Sequence, residues 1–134
     1  MMRISIVLTI LLFTFFSCGY KATHTIAKLP QGTYKGQFTR SSPLARYAPS
    51  EVTITLTGNK FSGQSNKTNY PAIGNGTYKV TGNEIEFVNE NMWTADFDWT
   101  YILKEKFKIS FDGKKLEMIK PSDDHTDQYT LILQ

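Results

Sequence analysis

Two pairs of carboxylates stand at the two-residue spacing that puts side chains on one face of an extended strand: Asp96 with Asp98, and Glu84 with Glu86. Such pairs can share acid–base work or hold a hard cation. Neither pair has the company that either task requires. In "NEIEF" the acids alternate with apolar residues, which is the pattern of a solvated strand face. Asp96 and Asp98 fall in a short acidic loop, "ADFDW". The two histidines, His24 and His125, are far apart, and His125 sits in the polar turn "PSDDHTDQ", so no metal-ligand spacing arises. No nucleophile–base constellation and no phosphate loop is present. The expectation is a protein that binds and does not catalyse, with no cofactor and no metal. Glu105 is the one carboxylate that strict alternation with Tyr101, Leu103 and Phe107 would turn inward. A buried carboxylate is costly unless paired, so a bulge that turns it outward is expected there.

Charge and thiol content narrow the partners. The net charge is +3, and the fifteen Lys and Arg are scattered among acids, with Lys104, Lys106 and Lys108 the densest cluster. A nucleic-acid surface would concentrate them in a stripe, so no such partner is expected. One cysteine allows no intramolecular disulfide, and stability must come from packing.

That cysteine, Cys18, ends an apolar run. Residues 1–17 have the form of a signal peptide: Arg3 opens it, and Ile4 to Phe16 is too short to span a bilayer comfortably. The stretch Phe15-Phe16-Ser17-Cys18-Gly19 resembles a bacterial lipobox, with Phe15 where the usual pattern has Leu. The resemblance implies removal of residues 1–17 and acylation of Cys18, for instance with palmitate. That places a lipoprotein in the bacterial cell envelope, on its periplasmic face or at the cell surface. Residues 18–31, polar after the cysteine, are then a flexible tether. The remainder, 32–134, is one domain, expected to act as a monomer.

Within that domain the signal is of period two. Val52, Ile54 and Leu56 alternate with threonines, and Phe107, Ile109 and Phe111 with polar residues. Tyr129, Leu131 and Leu133 do the same. Thr-Gly-Asn steps at 57–59 and 81–83 and Asp112-Gly113 mark tight hairpins. About eight strands are read, at roughly 33–40, 51–57, 60–65, 76–82, 84–89, 101–111, 115–120 and 128–133. A meander of that size removes its edges best by closing, which predicts an all-β, antiparallel up-and-down barrel, with a two-sheet sandwich second.

The step Gly32-Thr33-Tyr34 resembles the Gly-x-Trp signature of lipocalins and other calycins, with Tyr34 in place of the tryptophan. The resemblance implies that Tyr34 plugs the barrel floor. "NMWTADFDWTYIL" at 91–103 is similar to a segment of small lipocalin-like lipoproteins, and Trp93, Phe97 and Trp99 are expected to cap a barrel mouth. A carrier of a small apolar ligand is one reading. The inward list, however, holds many rings for a short barrel, which leaves little free volume.

A protein partner is the other reading. The connection Gln64–Gly76, "QSNKTNYPAIGNG", is long for a hairpin, and long loops on rigid scaffolds are where binding concentrates. Its Ile73-Gly74-Asn75 resembles the exposed glycine loop of staphostatins, small barrels that inhibit papain-like cysteine proteases. On that resemblance Tyr70, Pro71, Ile73, Gly74, Asn75 and Gly76 form a partner-binding loop for a secreted or periplasmic protease. A second loop, Ser41–Ser50, flanks one barrel end.

Overall fold

The computed structural model describes residues 28–134; Cys18 and the expected signal segment lie outside the described residues. Eight strands follow one another: β1 (Gly32–Ser41), β2 (Ser50–Thr57), β3 (Lys60–Ser65), β4 (Gly74–Thr81), β5 (Glu84–Asn89), β6 (Glu105–Phe111), β7 (Lys115–Pro121) and β8 (Thr126–Leu133). Each pairs antiparallel with the next, and β1 pairs with β8, so the meander closes into a barrel. Closure gives every strand two neighbours and leaves no edge.

The alternation in the sequence is the cause. Val52, Ile54 and Leu56 of β2 are buried while Thr57 faces outward. On the outer wall the paired strands set opposite charges side by side: Lys79 opposite Glu86, Glu86 opposite Lys106, and Glu84 opposite Lys108. Cross-strand pairs of this kind favour the register observed and set Lys106 and Lys108 of β6 against acids. Gly36 falls at an inward position of β1. A Cβ there would lie 1.9 Å from the Thr130 carbonyl oxygen, so glycine lets β8 cross β1 closely where the barrel closes.

Rings fill the interior. Phe61 meets Phe87 at 5.1 Å between centroids, Phe87 meets Phe107 at 6.0 Å, Phe107 meets Tyr129 at 5.7 Å, and Tyr129 meets Phe38 at 4.9 Å. This unbroken series, with the aliphatic side chains between, occupies the space that a carrier would keep open.

The two ends differ. At one, the hairpin end, the strands turn in two or three residues at Gly58–Asn59, Gly82–Asn83 and Asp112–Lys114. Gly58, Gly82 and Gly113 carry the positive φ that tight hairpins need. Tyr34 is buried here, its hydroxyl donating to the Pro30 carbonyl at 2.7 Å. Leu29, placed in the tether by its sequence context, is only 1 % exposed and belongs to the core. The barrel therefore includes residues from at least Leu29. At the other end, the loop end, lie the long connections 42–49, 66–73 and 90–104 and the short one 122–125.

Three strands start two or more residues from the sequence reading, β8 among them, at Thr126 and not 128. β4 begins at Gly74, not 76, and β6 begins at Glu105, not 101. Residues 99–101 instead form a 3₁₀ turn capped by Asp98, whose carboxylate accepts from the Thr100 amide at 2.9 Å. Glu105 has φ 68, which interrupts the alternation and turns its carboxylate to solvent, 3.6 Å from the Lys120 amine. A left-handed residue at the strand start does the work expected of a bulge.

Candidate functional site

The loop end is organised around one buried ion pair. Arg40 is the last residue but one of β1 and Asp127 the second of β8, opposite each other in register. The Arg40 guanidinium donates to both Asp127 oxygens, from Nε at 2.6 Å and Nη2 at 2.8 Å. Nη1 donates to the Thr100 hydroxyl at 2.8 Å, and Nη2 to the Thr100 carbonyl at 3.1 Å. The guanidinium lies over the Tyr101 ring, 3.9 Å from its centroid. Burial alone would lower the Arg40 pKa, but Asp127, Tyr101 and Asp98 outweigh it and raise it. The arginine thus stays charged and binds the 90–104 connection to the barrel wall.

That connection joins its neighbour. Ala72 N donates to the Tyr101 carbonyl at 3.0 Å, and Leu103 N to the Ala72 carbonyl at 2.9 Å, a short parallel bridge between the two long loops. Beneath it, Ile73 and Leu103 enter the core. Tyr70 packs against Tyr101 at 4.8 Å and Phe38 at 5.7 Å, and its hydroxyl donates to the Ala48 carbonyl. Burial raises the pKa of both Tyr70 and Tyr101. Among the described residues no buried side-chain nitrogen or oxygen lacks a partner. A network whose buried groups are all satisfied acts as a clasp between the loops and the barrel wall.

Pro71 and Ile73 are buried, and Gly74, Asn75 and Gly76 lie in β4, paired with β3 and β5. The part of the 64–76 segment from Pro71 to Gly76 is therefore seated in the barrel wall, while Asn66, Lys67 and Thr68 remain exposed. Its apolar residues find a core to enter, and Asn89 fastens it by donating to the Ile73 carbonyl at 2.7 Å. Trp93 and Phe97 meet at 5.7 Å, and the Trp93 indole donates to Asn89 Oδ1 at 3.0 Å. Trp99 is 49 % exposed. The cover over the core at this end comes instead from Tyr70, Ile73, Tyr101 and Leu103. Asp96 accepts from the Thr94 hydroxyl and Asp98 from Thr100, so the pair serves local turns. Glu84 and Glu86 face lysines across β6. His125 Nδ1 lies 2.6 Å from Asp124, and its Nε2 lies 3.9 Å from Asp127. The described residues hold no cluster of three or more potential metal ligands.

Besides the single side chain of Met92, 99 % exposed in the 90–104 connection, two features offer a partner a surface. The first is the β1–β2 loop, where Leu44 is 86 % exposed and Tyr47 and Arg46 are also exposed. It is braced on both sides. Ser41 and Arg46 form a bridge, the Ser42 hydroxyl accepts from Leu44 N at 3.2 Å, and Lys67 donates to the Pro49 carbonyl at 2.8 Å. Together with Tyr70 on Ala48, these bonds hold the loop out from the barrel. The second is a groove of about 480 Å³ between the upper part of β5 and the Trp99–Glu105 segment, lined by Val88, Trp93, Trp99 and Ile102 with Lys104 and Glu105 at its rim. It exists because β6 pairs with β5 only from Glu105 to Lys108, leaving Val88 and Asn89 beyond the ladder.

Arg40 and Asp127 were not singled out in the sequence, although the signal was there. Carrying the inward parity of Tyr34, Gly36 and Phe38 one step further reaches Arg40, and carrying that of Leu131 and Tyr129 one step back reaches Asp127. Two opposite charges at inward positions of strands that must meet predict a pair. The chain matches no known protein family, no curated protein and no solved structure.

Proposed function

We propose that this chain is a non-catalytic lipoprotein of the bacterial cell envelope, anchored through acyl chains on Cys18, which binds a protein partner with the loop end of its barrel. The observation that carries the reading is the braced β1–β2 loop, with an almost fully exposed leucine held out on a closed, filled barrel. An exposed apolar side chain on a preorganised loop binds without much further loss of loop entropy. Inhibition of a papain-like cysteine protease is the more specific form of this reading. Pro43 to Arg46 supports it better than Ile73 to Gly76, because it is the stretch that protrudes.

The anchor is tested by detergent partitioning. Wild-type chain is expected in the detergent phase and Cys18→Ser in the aqueous phase; equal partitioning rejects it. The partner is tested by cross-linking in the intact envelope of the source cell. A discrete adduct is expected with wild type, lost in Leu44→Asp and kept in Thr55→Ala. An adduct indifferent to Leu44→Asp rejects the β1–β2 loop. Titration of papain-like proteases from the same cell decides the inhibitor form.

The groove favours a second reading, a small apolar ligand held outside the barrel against Val88 and Trp99. Quenching of tryptophan emission by such a ligand, abolished in Val88→Glu, is its signature.

A further inference from the structure

We propose that the hairpin end of the barrel docks on a surface of anionic lipid headgroups, so that the loop end points away from the membrane. The inference rests on the anchored reading above and adds which way the barrel stands. The chain enters the barrel at the hairpin end, at Lys28 and Leu29, ten residues after Cys18. Ten residues reach at most about 35 Å when extended. That is comparable with the height of the barrel, since a ten-residue strand such as β1 spans about 33 Å along its own axis. The tether therefore keeps the barrel near the lipid without choosing its orientation.

Charge makes the choice. Lys28, Lys60, Lys114 and Lys115 are exposed at the hairpin end. Lys115 is 3.5 Å from Glu117, while Lys28, Lys60 and Lys114 have no ion-pair partner among the described residues. Of the acids at this end, Glu84 faces Lys108, and Asp112, which accepts from the Lys114 and Lys115 amides and keeps its negative charge, is outnumbered together with Glu117 by the four lysines. At the loop end the exposed charges are mainly acidic, with Glu51, Glu90, Asp96, Asp123 and Asp124 set against Arg46 and Lys67. An anionic surface attracts the first end and repels the second. The hairpin tips are Gly58–Asn59, Gly82–Asn83 and Gly113, with no large apolar side chain to insert, so the contact is electrostatic and yields to salt.

The acylated full chain provides the test, because Cys18 is its only native cysteine and acylation would block it from labelling. A fluorophore is placed at Asn59→Cys on the hairpin end or at Leu44→Cys on the loop end. Quenching by headgroup-labelled lipid is then compared in phosphatidylglycerol vesicles and in phosphatidylcholine vesicles. The Asn59 site is expected to be quenched several-fold more than the Leu44 site on phosphatidylglycerol. The difference should disappear on phosphatidylcholine, in about 1 M salt, where the screening length is about 3 Å, and in a Lys28→Glu/Lys60→Glu/Lys114→Glu variant. Equal quenching at the two sites, or stronger quenching at Leu44, overturns the docking and leaves the anchor standing. Flotation separates the two claims. If wild type fails to float with phosphatidylcholine vesicles, the anchor reading fails. Docking is then decided by salt-sensitive flotation with phosphatidylglycerol alone, whose absence overturns it.

Discussion

At the residue scale, the Arg40–Asp127 pair sets the terms. Both partners are buried, so removing one leaves the other charged and unpaired in the core, a cost of about 3–5 kcal/mol. Arg40→Met and Asp127→Asn are each expected to fall in that range in urea denaturation. The double variant should lose markedly less than the sum, because it leaves no unpaired charge in the core. Additive losses would show that the two groups do not act as a pair. Tyrosine ionisation gives a second prediction. The Tyr34 hydroxyl is pushed up to about 12 by burial, with Tyr78 adding to the shift. Below pH 10 the folded and unfolded chains both hold that proton, and its contribution to stability is complete. Between about pH 10 and 12 the unfolded chain releases a proton that the fold keeps, so stability falls as pH rises. Tyr129, Tyr70 and Tyr101 are raised in the same direction, again first by burial. Alkaline unfolding is therefore expected in this window, and Tyr34→Phe should make its slope shallower; an unchanged slope would remove Tyr34 from the account.

At the scale of elements, Gly74 shows why the strands were legible and the loops were not. Its φ is 64, and a Cβ there would lie 2.7 Å from both Asn91 Cγ and Trp93 Cζ2. Gly58 has a similar φ of 62 with nothing within 4 Å. Gly58→Ala should cost about 1 kcal/mol for backbone conformation alone. Gly74→Ala should cost about 2–4 kcal/mol, since crowding is added to the same strain. Equal costs would mean that Trp93 and Asn91 move aside freely. A strand buries every second residue, so its register can be read from types alone, and seven of the eight starts fall within two residues of expectation. The 66–73 and 90–104 connections have no period. They are held by single events far apart in sequence, such as Ala72 meeting Tyr101 and Leu103, or Asn89 fastening Ile73. The apolar content of "YPAI" was visible, but nothing local told burial at a barrel end from display to a partner. The eighth start, β6, lies four residues later than alternation suggests because Trp99–Tyr101 form a 3₁₀ turn and Ile102 bridges Ala72 in the neighbouring loop.

At the scale of the whole molecule, the barrel interior is filled by its own side chains. The rings from Phe61 through Phe87, Phe107 and Tyr129 to Phe38 touch in series, and Phe107 stands in the middle of the chain of contacts. Phe107→Ala removes that ring from between two others. The strands around the gap are hydrogen-bonded on both sides in a closed ring, so they can collapse only partly into it. The loss is expected to be about 3–5 kcal/mol, larger than for an exposed substitution because a cavity is left behind. An apolar cavity of that kind stays dry and can accept a small aromatic molecule. Benzene should therefore bind Phe107→Ala at one site and raise its melting temperature, while leaving the melting temperature of the wild type unchanged. Thermal unfolding with and without saturating benzene makes the measurement. A comparable rise in the wild type would mean that the interior already has room for a guest, and the small-ligand reading would then move from the outer groove to the inside of the barrel.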